Sequence, residues 1–69
     1  MSVAERAISE RQLQILFLCA EGYGNKEIAE KLGLSTFSVK NHLSIIYDTL
    51  GVRTRTEAVV RLWQLGLLR

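Results

Sequence analysis

The sequence is poor in the residues that build covalently linked or metal-held folds. Its 69 residues include no proline, one cysteine and one histidine. A lone cysteine excludes a disulfide framework, and one cysteine with one histidine is too few for a Cys/His zinc site. No apolar run approaches the length of a membrane span, and no stretch has the pattern of a signal peptide. We therefore expect no metal, no cofactor and no membrane attachment.

The sequence also lacks the residue combinations that an enzyme needs. A chain of 69 residues allows one domain and cannot easily enclose a substrate pocket. Paired carboxylates and a nucleophile with a neighbouring base cannot be assembled from it. The segment Gly22-Tyr23-Gly24 lacks the preceding strand that a nucleotide-binding fingerprint requires. These absences favour a small cytoplasmic binding module over an enzyme.

Positive charge is concentrated in the second half of the chain. The net charge is +2, and residues 35–69 contain five Lys and Arg against two Asp and Glu. Residues 1–34 contain four basic and five acidic side chains. This asymmetry indicates an anionic partner. Apolar residues make up 48% of the chain, which is high for so small an interior and excludes a disordered composition.

Start and stop signals predict an all-α fold of four helices. Ser9 followed by Gln12, and Thr54 followed by Glu57, are typical of capping boxes, and Asn25 and Ser35 are further candidate N-caps. The predicted helices run from Glu10 to about Glu21, from Lys26 to Leu32, from after Ser35 to Leu50, and from after Thr54 to near Gly66. We expect residues 1–7 to form a flexible leader and residues 8–69 to form the domain.

The second and third predicted helices have the plan of a helix-turn-helix. A short helix, a glycine turn at Gly33 and a longer helix follow one another. One face of the third helix is apolar and the other is polar. The apolar face consists of Val39, Leu43, Ile46 and Leu50, and the polar face of Lys40, Asn41, Ser44 and Asp48. Such a pair presents the polar face outward, where it can enter a major groove.

These segments resemble the LuxR-type (GerE- or NarL-like) DNA-binding domain of bacterial transcription regulators, including response regulators. The resemblance covers about residues 8–68, with several motifs in the expected order and spacing. The matching stretches are 22–29 (GYGNKEIA), 34–35 (LS), 38–44 (SVKNHLS), 46–47 (IY), 50–52 (LGV) and 55–59 (RTEAV). It implies a four-helix domain with a central helix-turn-helix that binds double-stranded DNA as a dimer, with the third helix in the major groove.

The resemblance assigns DNA-contacting roles by position. Base contacts fall on Lys40, Asn41 and Ser44, whose side chains suit hydrogen bonding to base edges. Contacts to the DNA backbone fall on Lys26, Ser35, Ser38 and Arg55. The chain departs from the family at position 49, where the usual lysine is Thr49 beside Asp48. We expect this loss of positive charge to lower affinity for non-specific DNA.

Apolar side chains outside the predicted core indicate further interfaces. Val60, Trp63 and Leu67 cluster within about 60° on the fourth helix, which in this family is the usual dimer contact, although Trp63 could instead fold back onto its own domain. Leu13 and Phe17 on the first helix are candidates for a second contact, with another copy or with a regulatory domain. Further candidate partners are an N-terminal regulatory domain and RNA polymerase, and the resemblance implies a location at the bacterial nucleoid.

Several assignments stay open on sequence alone. The main alternative function is a helix-turn-helix protein-interaction module that acts as an adaptor or inhibitor of a related regulator. Phe37 could contact a thymine methyl group or be a chance surface aromatic. For His42 we favour a packed or phosphate-adjacent role over a pH switch, and for Cys19 a buried role over a redox sensor. Arg61 is interpreted as a surface charge.

Overall fold

The computed structural model describes residues 8–67. These residues form four helices and no strand. They are α1 (Glu10–Ala20), α2 (Asn25–Leu32), α3 (Thr36–Leu50) and α4 (Arg55–Gln64). The predicted all-α class is confirmed. The predicted leader, residues 1–7, and the last two residues of the predicted domain lie outside the described residues. None of the four helices is long and apolar enough to cross a membrane.

The helix ends follow most of the predicted signals. Ser9 forms the capping box with Gln12, and Ser35 Oγ accepts a hydrogen bond from the Ser38 N–H at 3.0 Å. At α4, Thr54 Oγ1 accepts from the Glu57 N–H. The Thr54 hydroxyl donates to the Glu57 carboxylate at 3.3 Å. In a capping box that carboxylate would accept from the Thr54 N–H instead.

The prediction that Asn25 caps α2 is wrong. Asn25 is the first residue of that helix, and Gly24 is its N-cap. Glu27 Oε1 accepts a hydrogen bond from the Gly24 N–H at 3.3 Å, which satisfies one free donor at this helix start. The N–H that an Asn25 cap would bind, that of Ile28, donates instead to the Gly24 carbonyl oxygen at 2.9 Å. Asn25 Oδ1 accepts a hydrogen bond from Arg55.

The turn between α2 and α3 depends on the backbone freedom of Gly33. Its φ is +67°, in the left-handed region that glycine adopts without a steric penalty. A Cβ placed at Gly33 would meet no atom within 4 Å, so the requirement for glycine comes from the backbone conformation and not from crowding. This turn sets the angle at which α3 leaves α2.

One core holds the four helices together. The predicted apolar face of α3 is buried in full, and Ile15 and Leu16 of α1, Ile28 of α2 and Leu62 of α4 are completely inaccessible. Helix α3 packs against each of the other three helices, and α1 also packs against α4. Burying one face of α3 in this way fixes the opposite face toward solvent.

Candidate nucleic-acid interface

The outer face of α3 presents the three predicted base-reading residues. Lys40, Asn41 and Ser44 are all exposed, and they alternate along the helix with buried Val39 and Leu43. None of the three side chains has a hydrogen-bond partner among residues 8–67. Their donors and acceptors are therefore free to meet a ligand.

Two of the predicted backbone-contact residues lie at the N-terminus of α3. Ser35 is exposed and Ser38 is half-buried. Ser35 Oγ already accepts the capping hydrogen bond from the Ser38 N–H, yet a hydroxyl keeps its own hydrogen to donate. The start of a helix also carries a partial positive charge, which favours a phosphate nearby.

Lys26 lies in the first turn of α2 and is exposed. A positive charge at a helix N-terminus opposes the helix dipole, so this placement slightly disfavours the free domain. Lys31, in the last turn of the same helix, has a partner within the domain, because its Nζ lies 4.5 Å from the centre of the Tyr23 ring. Of the two lysines of α2, Lys26 is the one left for an external anion.

Arg55 is half-buried and joins the start of α4 to the start of α2 and the residues just before it. Its Nη1 donates a hydrogen bond to the Tyr23 carbonyl oxygen at 2.8 Å, and its Nη2 donates to Asn25 Oδ1. A guanidinium has five N–H donors, so these two bonds leave capacity for a phosphate. The predicted DNA contact and the observed structural role are therefore compatible.

Three of these residues, Lys40, Ser44 and Arg55, border one shallow groove. It has a volume of about 320 Å³ and lies between the start of α2, the middle of α3 and the start of α4. Lys40 and Ser44 line it from α3, Arg55 from α4, and the Tyr47 ring contributes to its lining. Burial raises the pKa of the Tyr47 phenol and Arg55 partly opposes that shift, so Tyr47 stays neutral at physiological pH. The charged groups lining the groove are both cations, which suits an anionic ligand.

Comparison with known proteins identifies the domain. The family model described as "Bacterial regulatory proteins, luxR family" matches residues 6–62. The chain belongs to this family. It is a DNA-binding regulator domain of the LuxR type, of the kind that occurs in response regulators.

Relatives of this LuxR-type domain include longer regulators and one of similar length. The oxygen regulatory protein NreC of Staphylococcus aureus is 48% identical over 54 residues, which are 78% of this chain and 25% of NreC. The crystal structure of ChrA, a response regulator in a heme-sensing two-component system, superposes with a TM-score of 0.87 at 40% identity over 90% of this chain and 31% of ChrA. The structure of the transcription factor GerE gives a TM-score of 0.84 at 34% identity, over 88% of this chain and 91% of GerE. The chain thus spans about a quarter of the length of its curated relatives.

Arg61 has a structural role in this LuxR-type domain that was not predicted from the sequence. It is half-buried, and its Nη1 donates a hydrogen bond to the Leu50 carbonyl oxygen at 3.2 Å. Its interpretation as a surface charge is therefore wrong. The last turn of α3 contains no basic residue, and Arg61 supplies a positive charge there from α4. No sequence signal links positions 50 and 61.

Cys19 and His42 are packed into the LuxR-type domain. Cys19 is buried, and burial raises the pKa of its thiol, with a smaller opposing effect from Arg55. A raised pKa disfavours the reactive thiolate, which agrees with the structural role predicted for this residue. His42 is half-buried, and its Nδ1 is buried without a hydrogen-bond partner in the structure. Packing of His42, one of the two roles favoured for it, is confirmed.

The apolar side chains predicted to form interfaces divide into two groups. Val60 and Trp63 on α4 are 48% and 57% exposed. Leu67 lies beyond the end of α4, after a left-handed turn at Gly66, and packs half-buried against the core. The helical face therefore does not extend to it. Leu13 and Phe17 are also half-buried against the core, so α1 uses in its own domain much of the surface expected to be free.

Proposed function

We propose that this LuxR-type domain binds double-stranded DNA sequence-specifically, with α3 in the major groove, as a dimer joined through α4. The observation that carries the proposal is the outer face of α3, where Lys40, Asn41 and Ser44 are exposed and have no hydrogen-bond partners among residues 8–67. A helix fits the width of the major groove, where base edges differ in their pattern of donors and acceptors.

Each residue of this face suits a distinct kind of base contact. Lys40 can donate to guanine O6 and N7, and Asn41 can make a bidentate pair with adenine. The Ser44 hydroxyl can donate or accept, which gives it little selectivity by itself. Because Lys40 also borders the groove shared with Arg55, it lies between the base-reading face and the proposed path of the phosphates.

The proposed phosphate contacts surround this face. Lys26 and Arg55 supply charge, while Ser35 and Ser38 supply donors at the start of α3. Charge is reduced at the other end of α3, where Asp48 is exposed and Thr49 donates its hydroxyl to the Ile45 carbonyl oxygen at 2.9 Å. We expect affinity for random DNA to be modest, so that base contacts contribute a large share of selectivity.

The larger protein context is also a proposal. Because the chain spans 25% of NreC and 31% of ChrA, we propose that the domain can act as the output module of a longer regulator with an N-terminal receiver domain. In that setting it would act on transcription at the nucleoid, through RNA polymerase. GerE, of which the chain covers 91%, supports activity as a short chain as well.

Binding to random duplex DNA tests the proposal most directly. We expect weak affinity at low salt that falls steeply as salt increases, because phosphate contacts release counterions. Lys26→Gln should reduce the slope of log K against log salt by about 0.9. Lys31→Gln is the matched control, because it removes the same charge from the same helix on a side about 140° away, and it should leave the slope unchanged.

Fluorescence anisotropy of a labelled duplex, measured at several salt concentrations, gives both quantities. Absence of any salt-sensitive binding at the lowest salt would contradict the proposal and favour the alternative, a protein-interaction module. Equal slopes for Lys26→Gln and the wild type would remove Lys26 from the set of phosphate contacts.

Dimerisation through α4 makes a separate prediction. Trp63 is 57% exposed and Val60 lies on the same side of the helix, and a tryptophan at the centre of a small interface is a typical energetic hot spot. Trp63→Ala should weaken self-association by about 30-fold or more. Gln64→Ala, at the neighbouring exposed position, is the control and should change little. Sedimentation equilibrium over a dilution series measures both, and a wild-type chain that stays monomeric at every concentration, with and without DNA, would exclude the α4 dimer.

A further inference from the structure

Phe37 is the most exposed large apolar side chain among the described residues. It is 79% exposed, compared with 57% for Trp63. It occupies the second position of α3, immediately after Thr36. Phe37 takes no part in the core. The side of α3 that faces the core is occupied by Val39, two residues later, which is fully buried.

The position of Phe37 is fixed by the start of α3. Ser35 Oγ accepts from the Ser38 N–H at 3.0 Å, which holds the first turn in helical geometry. At 100° per residue, Phe37 lies about 20° from Ser44 and about 40° from Asn41 around the helix axis. It therefore belongs to the base-reading face. At 1.5 Å per residue it lies about 6 Å from Asn41 along that axis, one turn closer to the N-terminus.

The N-terminal residues of a recognition helix are those that reach base edges in helix-turn-helix complexes. A phenylalanine there can neither donate nor accept a hydrogen bond. The apolar group on the floor of the major groove is the C5 methyl of thymine, and phenylalanine is one of the side chains that contact it. Exposure of the ring in the free domain and its burial against a methyl group in the complex would together favour binding.

We propose that Phe37 is a fourth specificity-determining residue, which contacts the C5 methyl of one thymine at the end of the half-site. This inference rests on the proposed placement of α3 in the major groove. It adds an apolar contact to the three polar ones, at the position where the helix enters the groove. The recognised sequence then includes one thymine that is selected for its methyl group rather than for its hydrogen-bonding pattern.

Deoxyuridine substitution tests this contact, because uracil differs from thymine only by the absent C5 methyl. The probe is a duplex selected from a random pool by the wild-type chain, with its thymines replaced by deoxyuridine one at a time. For the wild type we expect a loss of affinity of about three- to tenfold at one thymine of each half-site. Phe37→Ala should lose a similar factor on the unmodified duplex and should bind the thymine and deoxyuridine duplexes equally.

Three further measurements distinguish loss of the Phe37 contact from loss of folding and from loss of DNA binding as a whole. Phe37→Ala should keep the thermal midpoint of the wild type, because the ring packs so little within the domain. Phe37→Leu, which remains apolar, should retain part of the preference for thymine. Lys40→Ala, on the same duplexes, should weaken binding to both the thymine and the deoxyuridine form.

The outcomes are distinguishable. Suppose that Lys40→Ala weakens binding, but that deoxyuridine lowers the affinity of the wild type and of Phe37→Ala by the same factor at every position. The Phe37 contact is then overturned, and the placement of α3 stands. If the wild type selects no sequence from the pool, both the proposed function and this inference fail.

Discussion

Replacement of Lys40 by alanine should weaken binding to a selected duplex by about 1–3 kcal/mol, which is roughly 5- to 150-fold. The Lys40 side chain is exposed on the reading face of α3 and has no hydrogen-bond partner in the described part of the chain, so its removal should leave the fold intact. Affinity for random DNA should change much less, because a base contact contributes only where the correct base is present. The ratio of specific to random affinity is therefore the quantity to measure.

Lys40→Arg provides the complementary variant. Arginine can form a bidentate pair with guanine O6 and N7, so it should restore specific binding if the lysine contacts guanine. Competition titrations with the selected duplex and with a scrambled duplex give the affinity ratio for each variant. If Lys40→Ala binds the selected duplex as tightly as the wild type does, the outer face of α3 does not read the bases and its proposed orientation is wrong.

Leu62→Ala should strongly destabilise the domain. Leu62 is fully buried in α4, and truncation of a buried leucine to alanine costs about 2–5 kcal/mol because it removes apolar contacts and leaves a cavity. A domain of this length has a free energy of unfolding of roughly 3–10 kcal/mol. The loss is therefore a large share of the total stability, and the urea midpoint of the variant should fall well below that of the wild type.

Val60→Ala is the matched control for Leu62→Ala. It lies two residues earlier on α4 and is 48% exposed, so its truncation should cost under about 1 kcal/mol. Urea unfolding followed by circular dichroism, at a concentration where the chain is monomeric, measures both without a contribution from self-association. Equal losses of stability for the two variants would contradict the assignment of Leu62 to the core.

The regular parts of this fold were predictable because they depend on local signals. The apolar face of α3 repeats from Val39 to Leu50, and the Ser35 cap lies within three residues of its partner. The N-cap of α2 was mispredicted by one residue, and the hydrogen bond that the Asn25 side chain accepts comes from Arg55, thirty residues away. Arg61 was misassigned because its acceptor lies in another helix. Side chains that bridge helices leave no pattern in the linear sequence.

The candidate site divides in a similar way. Its reading face could be predicted from the polar side of α3 and from the family motifs. The groove beside it could not, because Tyr47 and Arg55 come together with Asn25 only once α2, α3 and α4 are packed. The high apolar fraction of 48% is explained in part by α1, whose Leu13 and Phe17 cover the core rather than standing free. Within residues 8–67, the large apolar side chains that stay exposed are Val60 and Trp63 on α4 and Phe37 and Ile45 on α3.

The two hydrogen bonds of Arg55 have a consequence for the geometry of a dimer on DNA. They attach the start of α4 to Tyr23, just before α2, and to Asn25, the first residue of α2, and α2 in turn packs against α3. The helix proposed to meet a second copy is thereby held at a set angle to the helix proposed to read DNA. Two copies joined through α4 would therefore hold their two α3 helices at one fixed separation. Such a pair should tolerate changes of base at individual positions more readily than the insertion of one base pair between its half-sites.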